Sequence, residues 1–106
     1  MAIKISYEWC LGEGWESEPN QFECLDPHHA DIKNLDWLLD GLMDHTLFNF
    51  CVQKWFYNTV WDEGDFEQIY LRKDGTFEKK LPKYLMKIIE PRINDIINHK
   101  NFRGRN

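Results

Sequence analysis

Apolar residues nowhere run uninterrupted for the roughly 20 positions that a membrane-spanning helix needs, so no bilayer contact is expected. The opening MAIKISYEWC has no charged segment followed by an apolar one, and no secretory signal is read from it. Serine is nearly missing: Ser6 and Ser17 are the only two. One falls in a strand-like stretch and the other among acids, and neither sits on the strained elbow that exposes a nucleophilic hydroxyl. Cys10, Cys24 and Cys51 are odd in number and share no CxxC spacing. Buried thiols in a cytoplasmic protein are expected from them rather than a disulfide framework. Internal repeats and low-complexity segments are also lacking.

The chemistry-bearing residues that are present do not assemble into a motif. Cys24, Asp26, His28 and His29 lie within six residues, yet adjacent histidines seldom reach one ion and no second ligand cluster follows. A polar loop is expected there, with no metal and no cofactor. Gly12 and Gly14 form a GxG without the rest of a nucleotide fingerprint, among glutamates that repel phosphate. Four histidines could supply an acid–base pair for RNA cleavage, but the acidic body offers no positive track for phosphates. No catalytic residues are assigned. A small enzyme pairing a cysteine with a histidine stays as an alternative, because such partners meet in space rather than in sequence.

At 106 residues with 42% hydrophobic and 15% aromatic content, the chain can bury one core and offset its ordering entropy. Residues 1–99 are read as one domain and 100–106 (KNFRGRN) as a basic, frayed tail. Charge is divided unevenly. Residues 1–71 hold three lysines against fourteen acids, a net −11, whereas 72–106 hold ten basic residues against four acids, a net +6.

Residues 31–44, DIKNLDWLLDGLMD, organise the rest. On a helix Ile32, Leu35, Leu38, Leu39, Leu42 and Met43 form one apolar stripe, and Asp31 stands where an N-cap belongs. The other face carries Lys33, Asp36, Asp40 and Asp44 together with Trp37, more than a third of a turn from the stripe at 100° per residue. Core burial does not call for a Trp at that position.

In chain order, 3–9 alternates as a half-buried strand with Ile3, Ile5, Tyr7 and Trp9 on one side. Gly12 and Gly14 are expected to end it, leaving 12–20 as an acidic loop and 21–30 irregular. Residues 47–57 fit either a helix or a strand, and their aromatic and β-branched content favours the strand. Residues 58–65 read as a second acidic loop around Trp61, followed by a strand over 66–72. Lys73-Asp74-Gly75 is a tight turn into a return strand from Thr76. A last helix runs from Pro82 to about His99, kinked at Pro91 without losing the phase of its isoleucines. The sum is an α+β fold, a small, mostly antiparallel sheet with two amphipathic helices on one face as a two-layer sandwich.

Lys79, Lys80, Lys83 and Lys87, with Arg103 and Arg105, could follow a nucleic-acid backbone. The pI of about 5.3 favours a solvated helix face and tail instead, so no direct nucleic-acid contact is expected. In size, acidity and Trp content the whole chain resembles the small immunity proteins with which bacteria block their own nuclease toxins, and phage-encoded inhibitors of nucleic-acid enzymes. No family motif accompanies the resemblance, so no family residues carry over. It implies a non-enzymatic inhibitor whose acidic surface covers a basic partner, a toxin or a nucleic-acid enzyme. From the residues themselves, the partner-binding patch is expected at Trp37, Asp36, Asp40 and Asp44, extended by Trp61, Asp62, Glu63 and Asp65. A structural or regulatory oligomer, down to a homodimer through an exposed sheet face, is the remaining alternative.

Overall fold

A computed structural model describes residues 3–15, 18–24, 26–41, 47–58 and 63–104, with backbone alone for 13–15, 18–23 and 63. The strands are β1 (Ile3–Trp15), β2 (Glu18–Cys24), β3 (His28–His29), β4 (Phe48–Asn58) and β5 (Glu63–Tyr70). The helices are α1 (Ile32–Gly41), α2 (Lys83–Ile89) and α3 (Ile93–Ile97), the last two joined by a 3-10 turn, Glu90–Arg92. One antiparallel sheet runs β2-β1-β4-β5, and the two-residue β3 pairs with β1 beyond β2. All helices lie on one face of it. The α+β two-layer architecture expected from the sequence is therefore the observed one.

Strand register explains the core. Trp9 pairs with Val52 and Val52 with Ile69, while Leu11 pairs with Phe50. Residues opposite one another share a face, and these rungs meet Leu35 and Leu38 of α1, Leu85 and Ile89 of α2, and Ile93 and Ile96 of α3. Each such side chain contributes about 1.5–3 kcal/mol on full burial. The Trp9 indole also donates to the Asp31 carbonyl at 3.0 Å, tying β1 to the start of α1. Asp31 caps that helix as expected, accepting the Asn34 amide at 2.8 Å.

The opposite face has a different character. Its rungs are Cys10, Cys51 and Tyr70; Glu8, Gln53 and Gln68; and Ser6, Trp55 and Phe66. Cys10 and Cys24 are joined by a disulfide across 5.9 Å between Cα atoms. This corrects the expectation of three thiols: distant positions in sequence become neighbours once β2 folds back on β1. Cys51 is buried beside them. The Trp55 indole donates to Glu8 at 2.9 Å, and the Tyr70 hydroxyl donates to Gln68.

Several local expectations are corrected. Gly12 and Gly14 do not end β1, which continues to Trp15 and pairs with β2, so 12–20 and 21–30 are not the loop and irregular stretch foreseen. Pairing of Gly12 with both Cys24 and Asn49, and of Gly14 with Phe22, outweighs the weak strand propensity of glycine. Gly64 likewise lies inside β5, where the Tyr57 ring occupies the space a side chain would take, 3.0 Å from a built Cβ. The return strand after the 73–75 turn shrinks to one bridge, Leu71 with Phe77. That turn itself forms as expected, with Gly75 at φ +89° and Thr76 donating to Asp74 through its amide (2.9 Å) and hydroxyl (2.6 Å).

Pro91 does more than kink the last helix. It separates α2 from α3 by the 3-10 turn, and the Arg92 guanidinium donates to the Ile88 carbonyl at 3.2 Å, where the helical ladder is interrupted. Ile32 is 53% exposed and Leu39 only partly buried, so the α1 stripe is narrower than read, while Leu42 and Met43 lie outside the described residues. The tail is tied down over 101–103. Phe48 donates its amide to Asn101 and accepts one from Arg103, both at 2.9 Å, and the Phe102 ring packs 5.6 Å from that of Phe48.

Candidate functional site

The outward face of α1 carries one large aromatic. Trp37 is 55% exposed, as its angular position on the helix requires. Its ring and that of His28 meet edge to face, the centroids 4.6 Å apart and the planes at 67°. His28 is placed by β3, which pairs it with Trp9, so the sheet edge holds one side of an otherwise open indole. The His28 Nε2 is buried and has no hydrogen-bond partner. Exposed Ile32, one residue past the Asp31 cap, adds apolar surface to the first turn of the same helix.

The carboxylates around Trp37 are not equivalent. Asp36 forms an ion pair with Arg92 at 2.7 Å, partly open to solvent. Arg92 is doubly engaged, since Nη2 meets Asp36 while Nη1 donates to the Ile88 carbonyl. Asp40 is exposed one turn further along. With Asp36, Leu39, Arg92, Asp95, Ile96 and His99 it lines a cleft of about 310 Å³ between α1 and α3. Three carboxylates face one guanidinium there, so the balance is negative.

Of the expected extension, Asp65 is described with its side chain. Asp65 pairs with Phe56, which pairs with Ile5 on β1. That rung lies four residues from Trp9, roughly 13 Å along the strand at about 3.3 Å per residue. Asp65 accepts the amide of its neighbour Phe66 at 2.8 Å. Glu63 begins β5, described as backbone alone, and Asp44, Trp61 and Asp62 lie outside the described residues. Asp36, Trp37 and Asp40 thus share α1, and Asp65 stands on β5.

Three contributors escaped the sequence reading: His28, Arg92 and Asp95. The ring contact of His28 depends on β3, a two-residue strand with no periodicity of its own. Arg92 follows Pro91, and its reach to α1 depends on the 3-10 turn. No group of three or more potential metal ligands gathers among the described residues. No helix among them is long and apolar enough to cross a membrane.

No family model, curated protein or solved structure matches this chain.

Proposed function

We propose that the chain is an acidic, non-enzymatic protein-binding inhibitor that covers a functional surface of a basic partner, a toxin or a nucleic-acid enzyme. The observation that carries this reading is the 55% exposed Trp37 ring, steadied by His28 and flanked by Asp36 and Asp40. A Trp left open on a helix contributes little to the fold. At an interface it supplies a large rigid contact, and surrounding carboxylates steer a basic partner toward it. Asp36, clamped by Arg92, acts mainly as a fixed rim, and exposed Asp40 carries most of the steering. The cytoplasmic placement expected from free thiols is not part of this proposal, because Cys10 and Cys24 form a disulfide.

Affinity purification with the wild-type chain and with Trp37→Ala tests the reading. A basic protein retained by the wild type and lost by the variant supports it. Equal retention by both, or retention of only acidic proteins, contradicts it.

A further inference from the structure

A second surface has the opposite charge. After the Asp74-Gly75 turn the chain crosses in front of α2, anchored by the buried Leu81. Gly75 fits closely over α3, where a Cβ would stand 3.3 Å from the Ile93 side chain. Between this crossing segment and α2 is an open groove of about 550 Å³. Its floor includes the partly buried Phe77 and Met86. Lys83, Met86 and Lys87 line it from α2 at spacings i, i+3 and i+4, hence from one helix face, and Glu90 follows from the C-cap.

The rim is cationic. Lys79 is engaged by Glu67 at 2.9 Å, and Lys80, Lys83 and Lys87 stand against Glu78 and Glu90. Lysine stems extend apolar surface while their ammonium groups stay in water. The groove therefore combines an apolar bed with a positive mouth, at a size typical of small-molecule sites, about 300–1,000 Å³. A neutral apolar ligand would leave the lysines unused, and a cation would be repelled.

We propose that this groove binds a small anionic amphiphile, a carboxylate or phosphate head on a medium-length apolar tail. The head lies among Lys80, Lys83 and Lys87 and the tail against Phe77 and Met86. The site is independent of the Trp37 face and carries the opposite charge.

Calorimetric titration of the full chain with monomeric decanoate tests the proposal, with decanol and decyltrimethylammonium as neutral and cationic analogues. Vesicles containing phosphatidylglycerol form a separate arm. One-to-one binding of decanoate with Kd at or below about 1 mM is expected, with both analogues weaker by about tenfold or more. The double variant Lys83→Gln/Lys87→Gln should lose about tenfold in decanoate affinity, and Lys4→Gln, on β1, should lose none. Both change exposed lysines, and circular dichroism checks that they fold. Equal binding of decanol and decanoate, an unaffected double variant, or binding to vesicles without binding to monomeric decanoate would each overturn the proposal.

Discussion

The His28 ring packs edge to face with the indole of Trp37, centroids 4.6 Å apart, so a residue from the sheet edge steadies an exposed aromatic on the helix. Holding such a ring in one orientation before binding removes part of the entropy that an interface otherwise costs, about 0.5–1.5 kcal/mol per side chain. His28→Ala should therefore weaken partner binding by about that amount, less than loss of the Trp itself. A binding isotherm for this variant indistinguishable from wild type would show that the contact orders nothing that matters.

Core positions on α1 should separate cleanly by burial. Leu38 is fully enclosed between α1 and the sheet, whereas Leu39 is only partly covered. Leu38→Ala should cost about 2–5 kcal/mol and Leu39→Ala clearly less. Urea denaturation of the two variants checks the order, and a larger loss for Leu39→Ala would place the helix face wrongly.

The Cys10–Cys24 disulfide spans 14 residues of sequence, and closing a loop near that size is worth about 3 kcal/mol in the chain-entropy account. Cys24→Ser should lower stability by about that much under oxidising conditions and change little under reducing ones. Peptide mapping of the native protein should recover the Cys10–Cys24 linkage. Cys10 linked instead to Cys51, its cross-strand neighbour, would contradict the β1–β2 pairing described above.

Asp74 gives the 73–76 turn a dependence on acid. Hydrogen bonds from the Thr76 hydroxyl and amide hold its carboxyl below the ordinary 3.8. A depressed folded-state pKa contributes stability that is present above the unfolded value and lost as pH falls through the folded one. The stability difference between wild type and Asp74→Ala should thus be constant above about pH 5 and shrink below 3.8. Denaturation midpoints measured across pH 2–7 would show it, and a difference that grows on acidification would reverse the sign.

Legibility in the sequence followed the range of the interactions. The apolar phase of α1, the Asp31 cap, the strand character of β4 and the Asp-Gly turn depend on residues a few positions apart, and each appears where periodicity or turn chemistry puts it. Pairings across the sheet were not legible. Gly12, Gly14 and Gly64 look like breakers until β2 and Tyr57 supply their neighbours, and the cysteines look unrelated until β1, β2 and β4 align. Trp37 was singled out from helix geometry alone, and its exposure agrees with that geometry. The contributions of Arg92, Asp95 and His28 were not legible, because they come from other elements.

Trp37→Ala tests the central claim most directly, through Kd for the captured partner and the melting temperature measured together. The account predicts binding weakened by about 2 kcal/mol or more with the melting temperature nearly unchanged. It also predicts that Asp40→Asn mainly slows association, by a margin that shrinks as salt is raised. A Trp37→Ala protein that binds as tightly as wild type, or that loses stability and binding together, would contradict it.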